Sequence, residues 1–367
     1  MKIAQLCFSP AWGGLEMRCL EDSVRLVERG HEVVPLVAPG APAVAHFSEQ
    51  GMRPIEVRAH NYISPLATLK MAQIFKREKV QALHMHRTQD MGPALLAAKL
   101  AAVPQRVLTL RMESHKDKFD PYHRWVYGQL TRLLTVSENL CRRAIQHRPI
   151  APQKARCLYN GLDIEKLLAG KEDRSLIRKR WKIDENAFVV GIVGRVEPRK
   201  GQHLVLKAGA KLVDQIPDLV LVIVGDETMN KRGEIGRLKN MAQELGIASR
   251  VIFTGFQSPP GSIVPAFDVS VLATNRETYG NVTVEAQALG IASIATNEGG
   301  MPEIVDDGET GLLVPVEDDE AIRSAIERLY LNPDLRARMG VNGGDRMPER
   351  FSLKRHMQEL EAVLGGQ

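Results

Sequence analysis

The chain has 367 residues, 44% of them apolar and 25% charged, the balance of a folded globular protein and more chain than one hydrophobic core ordinarily serves. No unbroken apolar run approaches the ~20 residues that a membrane span needs, which sets aside a transmembrane protein along with disorder and collagen. Net charge is +5 and sits in residues 1–165, where 23 Lys and Arg oppose 15 Asp and Glu, against 26 and 29 in the remainder. A basic half suits nucleic acid, anionic lipid or phosphorylated small molecules, and it equally suits a plain solvated surface, because no run of five or six like charges occurs. The opening MKIAQLCFSPAWGG has no long apolar stretch ending in a small-residue cleavage site, so the expected compartment is the cytoplasm. Cys7, Cys19, Cys141 and Cys157 lie far apart without a C-x-x-C, which predicts buried thiols rather than a disulfide framework or a zinc site.

Along the chain, apolar runs of strand length alternate with amphipathic stretches of helix length, the pattern of parallel α/β architecture. The first series predicts strands at Lys2 to Phe8, Glu32 to Val37, Ile55 to Arg58, Ala82 to His86, Val107 to Leu110, Leu133 to Val136 and Arg156 to Leu158. A turn at Asn160-Gly161-Leu162-Asp163 separates it from a second series: Phe188 to Val193, Leu219 to Val224, Val251 to Thr254, Val269 to Leu272, Ser293 to Ala295 and Leu312 to Val314. Two doubly wound sheets, residues 1–160 and 161–350, are expected to face one another across a cleft. No repeat of 20 to 50 residues is visible.

In open parallel sheets ligands bind at the carboxyl ends of the strands, so the loops leaving them are the places to search. After the first strand, Gly13-Gly14 precedes a helix expected near Leu15, where backbone approach and free N–H groups suit an anion; a tight turn needing positive φ is the plainer alternative. After the first strand of the second series, Arg195 and Lys200 flank one loop, and a guanidinium with an ammonium suits a diphosphate, although solvated loop charges would look the same. The G-x-G-x-x-G fingerprint of dinucleotide binding is absent there.

The most informative segment is Thr274 to Ala286. Glu277 lies in a loop and Glu285 in an apolar helix starting around Asn281, where an unpaired carboxylate would be costly. Glu277 with the Thr278 to Gly280 backbone suits a sugar's hydroxyls, the helix start (Asn281, Val282) suits phosphate, and Glu285 suits a ribose diol. A fourth loop, Glu298 to Val305, reads most simply as a structural turn.

Together, Gly13-Gly14, Asn160 to Asp163, Gly194-Arg195 with Lys200-Gly201, Glu277 to Glu285 continuing to Gly290, Gly299-Gly300 with Pro302-Glu303, and Gly308 to Leu313 resemble family 4 glycosyltransferases over nearly the whole chain. The resemblance implies a GT-B fold, two Rossmann-like domains, the second holding a nucleotide-sugar donor and the first an acceptor. It also implies transfer with retention and no metal or other cofactor besides the nucleotide-sugar; UDP-sugar and GDP-mannose both remain open, with UDP favoured as the commoner in the family. Arg195 and Lys200 would then neutralise the diphosphate, Glu285 would bind ribose, Glu277 with Tyr279 and Gly280 would meet the donor sugar, and Gly14 would give its N–H to the distal phosphate. Residues 351–364 resemble the family's closing helix, which returns to the first domain. The implied product is a hexose moved onto a glycan or lipid-linked acceptor, in lipopolysaccharide, capsule or exopolysaccharide building.

Where relatives carry a histidine near the donor sugar, this chain has Arg111 in Thr109-Leu110-Arg111-Met112-Glu113. Arg111 is expected to face the cleft; the alternatives are a salt bridge to Glu113 or Glu277, or a functional imidazole supplied by His84 or His86. Glu-Thr-Tyr-Gly likewise replaces the commoner Glu-Gly-Phe-Gly. Between Arg111 and Arg148, basic residues alternate with Phe119, Tyr122, Trp125 and Tyr127, which suits peripheral contact with an anionic bilayer at the inner face of the cell membrane. Nucleic acid is discounted, because no nucleic-acid module is recognisable. The rival functions are a GT-B nucleotide-sugar epimerase, which needs no acceptor, and a non-catalytic membrane-surface binder; a NAD-dependent oxidoreductase fits least.

Overall fold

Runs such as Phe-Val-Val-Gly-Ile-Val are buried along their whole length, which a strand achieves only in a sheet covered on both faces. The computed structural model describes residues 1–59, 62–112, 116–227 and 233–367. Residues 1–159 with 354–367 form one compact unit and residues 160–353 another.

In the first unit β1 (Lys2–Cys7), β2 (Glu32–Val37), β3 (Ile55–Glu56), β4 (Ala82–Met85), β5 (Gln105–Leu110), β6 (Arg132–Thr135) and β7 (Ala155–Cys157) make one sheet in the order 3-2-1-4-5-6-7. Every pairing is parallel, with Ile3 opposite both Val33 and Ala82. The second unit orders β8 (Phe188–Val193), β9 (Leu219–Val224), β10 (Val251–Gly255), β11 (Val269–Leu272), β12 (Ala292–Thr296) and β13 (Gly311–Val314) as 10-9-8-11-12-13, again all parallel. The order reverses at β1/β4 in one sheet and at β8/β11 in the other. At such a switch point adjacent crossovers leave to opposite faces and open a crevice beyond the strand ends.

Side-chain alternation decides which core each residue joins. Phe188, Val190 and Ile192 pack into the layer containing Leu204, Leu221 and Ile326, whereas Val189 and Val193 pack on the other face with Val222 and Phe267. Gly191 serves this packing, since a Cβ there would stand 2.3 Å from the Phe267 ring.

Boundaries differ from expectation where polarity misleads. β5 begins at Gln105, two residues early, because Arg106 satisfies its guanidinium on the carbonyls of Gln129 and Val103, each at 2.7 Å, and so tolerates a strand position. β3 stops at Glu56, although Val57 is buried and donates to the Val37 carbonyl at 3.0 Å. The last helix is Leu353–Leu364, separated from Pro333–Phe351 by an extended Ser352. None of the four cysteines forms a disulfide, and Cys157 is only half-buried. No helix among the described residues is long and apolar enough to cross a membrane.

Candidate functional site

Within the second unit, the loops leaving β8 and β11 meet because glycine lets them. Gly201 has φ +77°, and a Cβ on it would lie 2.2 Å from the Ala273 carbonyl oxygen, closer than any side chain is tolerated. The Asn275 N–H donates to the Arg199 carbonyl at 3.1 Å, and Lys200 Nζ reaches Glu277 Oε2 at 2.8 Å. Both partners of this ion pair keep 17% of their side-chain surface exposed, so it is partly shielded yet accessible. Arg195 has its carbonyl pinned by Gln202 Nε2 at 2.9 Å while its guanidinium remains 57% exposed, 3.4 Å from Glu197.

The β11 loop is clamped from its far side by the β12 loop. Gly300 donates to the Glu277 carbonyl at 3.0 Å, Glu298 accepts the Arg276 N–H at 3.1 Å, and Thr296 donates to the Thr274 carbonyl at 2.7 Å. The structural turn read at Glu298 therefore has a positional consequence: it fixes Glu277. Gly299 has φ +64°, and a Cβ there would stand 1.8 Å from the Glu277 carbonyl oxygen. Gly299→Ala is expected to cost about 1–3 kcal/mol of stability through backbone strain; an unchanged unfolding midpoint would contradict this clamp.

Tyr279 is interior. Its hydroxyl donates to the Asn160 carbonyl at 2.8 Å and its ring meets Phe351 edge-on at 6.0 Å, so its backbone rather than its ring borders the site. Gly280, at φ +88°, ends the loop and caps the helix Asn281–Ala288, whose first amides, at Asn281 and Val282, have no carbonyl acceptor within the helix. Asn160 Nδ2 donates to Asn281 Oδ1 at 3.3 Å, which ties the turn after β7 to this helix start. Glu285, one turn further, is half-buried, and its Oε2 would stand 3.3 Å from a Cβ on Gly261. Arg195, Lys200, Glu277, Gly280, Asn281, Val282 and Glu285 thus all follow β8 and β11, the two strands flanking the switch point of the second sheet.

In the first unit, Gly13 and Gly14 open the helix Gly14–Glu28 at the carboxyl end of β1. Gly13 is extended at φ −161° and Gly14 is helical, so neither is required for positive φ; a Cβ on Gly14 would meet nothing within 4 Å. The positive-φ turn is thereby corrected, and a side chain at Gly14 would meet no neighbour.

The acceptor-side candidates fare differently. Arg111 is turned inward: its guanidinium donates to Asp22 at 3.0 Å with side chains 8% and 1% exposed. Glu113 itself lies outside the described residues. Asp22 also meets His356 Nε2 at 3.2 Å, whose other nitrogen faces the Tyr159 carbonyl at 2.7 Å. Burial opposes ionisation of Asp22, yet His356 and Arg111 outweigh it and hold the carboxyl far below the usual range. His84 and His86 are 0% and 2% exposed, with Nε2 atoms 2.8 Å or less from Thr109 and Gln5, and neither offers an imidazole to a ligand. β4, which carries His84 and which His86 directly follows, is central in the sheet, so neither residue has an exposed face.

Burial pushes the His84 imidazole down to about 3, whereas burial pushes Asp90, whose carboxylate accepts the Phe8 N–H at 3.1 Å, up to about 6. The unfolded His84 binds a proton below about pH 6.5 that the folded one refuses until about pH 3, so its stabilising effect is complete above pH 6.5 and fades as pH falls. Asp90 acts oppositely, losing stability as pH rises from about 4 to 6. His84→Gln is expected to reduce the slope of stability against pH between 4 and 6 by about 1.4 kcal/mol per pH unit, read by urea unfolding; an unchanged slope would refute the buried neutral imidazole.

Sequence patterns gave no warning of Asp22 and His356, which lie 334 positions apart, nor of Asp90. Glu197, 6% exposed, lies between Arg195 and Arg199 in the loop after β8, and a carboxylate between two arginines was the available signal. The basic and aromatic run is likewise split by the fold: Tyr127 and Arg148 are fully buried, while Phe119 and Trp125 remain exposed.

Against known proteins, the profile of glycosyl transferases group 1 matches residues 173–346 and that of Glycosyltransferase Family 4 matches residues 12–166. The capsular polysaccharide biosynthesis glycosyltransferase CapM of Staphylococcus aureus is 30% identical over 80% of this chain and 79% of its own. The N-acetyl-alpha-D-glucosaminyl L-malate synthase of Bacillus anthracis is 25% identical over 99% of this chain and 96% of its own. Among solved structures, Anabaena HepE in complex with UDP aligns over 100% of both chains with TM-score 0.88 at 21% identity. A Rickettsia africae glycosyltransferase aligns over 99% of this chain and 97% of its own with TM-score 0.90 at 19% identity.

Proposed function

This chain belongs to glycosyltransferase family 4, with a GT-B fold, and from that footing we propose that it moves a hexose from a UDP-sugar to a glycan or lipid-linked acceptor, with retention and without a metal. The observation that carries the proposal is the Lys200–Glu277 ion pair joining the loops after β8 and β11, with Arg195 exposed in the first loop and the start of helix Asn281–Ala288 ending the second.

Breaking a sugar–phosphate bond leaves negative charge on the departing diphosphate. Positive groups and helix amides fixed beforehand stabilise that charge without reorganising during the reaction. Arg195, exposed and only loosely engaged by Glu197, is free to turn its fork onto two phosphate oxygens. Lys200 is held by Glu277 until phosphate competes for its ammonium, and the released carboxylate then accepts from sugar hydroxyls. Glu285 offers acceptors to a ribose diol. The acceptor oxygen bonds to the anomeric carbon on the face the diphosphate leaves, and its proton passes to that diphosphate.

UDP is favoured because HepE was solved with UDP and with UDP-glucose, and a capsule or lipopolysaccharide setting because CapM and the structural neighbour WaaB bear those names. Thermal shift with UDP, GDP and ADP tests the donor. UDP at 100 times its dissociation constant is expected to add about 2.7 kcal/mol of stability while the others add less; a larger shift with GDP would overturn the choice of base.

A further inference from the structure

The helices Pro65–Arg77, Met91–Leu100 and Pro121–Gly128 border an open groove of about 440 Å³ in the first unit, with Ile63, Leu69, Pro93, Leu96, Leu100 and Trp125 among its walls. The groove is built into the packing. A Cβ on Gly92 would stand 2.2 Å from Tyr122 Oη, so only glycine lets Tyr122 lie there, donate to the Tyr62 carbonyl at 3.1 Å and meet the Tyr62 ring edge-on at 5.8 Å. Ile63, Leu66 and Leu69 are 74%, 83% and 56% exposed on one short stretch. Single exposed apolar residues are ordinary, but a cluster beside an apolar groove marks a contact surface.

Charge selects the partner. The three helices carry exposed Lys70, Lys99 and Arg124 and contain no Asp or Glu. Of the carboxylates nearest in sequence, Asp90 is buried on the Phe8 amide, Glu56 accepts the Gly40 N–H and Glu78 pairs with Lys2 and Arg77, while Asp117 and Asp120, both exposed, pair with His147 and His123. A second copy of the chain would bring like charge against like, whereas an anionic bilayer supplies both phosphate and hydrocarbon. We propose that this face docks on an anionic phospholipid surface. Ile63, Leu66 and Leu69 enter the acyl boundary, and Lys70, Lys99 and Arg124 meet lipid phosphates. The docking face differs from the Arg111 to Arg148 run, sharing only Tyr122, Arg124 and Trp125 with it, and it stands independently of the donor proposal.

Flotation of the full chain, without nucleotide, on vesicles of phosphatidylcholine alone or mixed with phosphatidylglycerol tests it. The wild type is expected to float with the anionic vesicles only and to be released by salt. Leu66→Asp with Leu69→Asp, and separately Lys70→Glu with Lys99→Glu, should each reduce binding at least about tenfold. Both pairs are exposed, and the UDP thermal shift, read in parallel, reports folding and the donor site separately from docking. No flotation of the wild type, equal flotation of the variants, or wild-type self-association abolished by Leu66→Asp without vesicle binding would each overturn the proposal.

Discussion

Arg195→Ala is expected to slow sugar transfer by roughly 10² to 10³-fold, about 2.7 to 4 kcal/mol of transition-state stabilisation, while leaving the unfolding midpoint almost unmoved. The two halves of that expectation have separate causes. The guanidinium is 57% exposed and makes one loose contact, to Glu197, so its removal uncovers no buried charge. Its carbonyl, which Gln202 pins, is unaffected by truncating the side chain. The rate loss follows because a cation aimed at a developing diphosphate contributes more in the transition state than in the ground state. Full transfer rate in a folded Arg195→Ala protein would remove Arg195 from the phosphate site.

Arg111→Ala has the opposite signature. Removing this guanidinium withdraws one of the cations that keep the buried Asp22 carboxylate ionised, a change that costs about 3–5 kcal/mol when a buried pair is broken. For a unit of this size that is a fall in Tm of the order of 10 °C. At a temperature where the variant stays folded, KM for the donor and kcat should hold near wild-type values. An unchanged Tm accompanied by lost turnover would instead return Arg111 to the substrate, where the sequence alone had placed it.

The contrast between these arginines shows what was legible. Both stand just past the end of a predicted strand, Arg195 after Val193 and Arg111 after Leu110, and both strands were read from apolar runs bounded by turn residues. Local pattern reports strand ends well, because burial on both faces demands continuous apolar side chains. It does not report which polar residues find partners far along the chain. Asp22, 89 positions from Arg111, and His356, 334 from Asp22, reach one another only after the sheet has formed. His84 and His86 failed for the same reason, since burial and the Nε2 contacts to Thr109 and Gln5 of neighbouring strands hold them in the interior, each with its buried Nδ1 unpartnered.

The loops after β8, β11 and β12 were legible for the complementary reason: their chemistry is local. Gly201, Gly280 and Gly299 each occupy a positive φ with a neighbouring atom where a Cβ would sit, so the sequence had to show glycine there. Gly13 and Gly14 were legible only as a strand-to-helix junction, and their conformations are ones any residue adopts or any helix contains.

The account rests on phosphate being what the second unit grips. Calorimetric titration of the wild type with UDP and with uridine, in the presence of a chelator, measures this directly. Two charged hydrogen-bonding groups predict that UDP binds at least about 100-fold more tightly than uridine, whereas equal affinities would contradict the account.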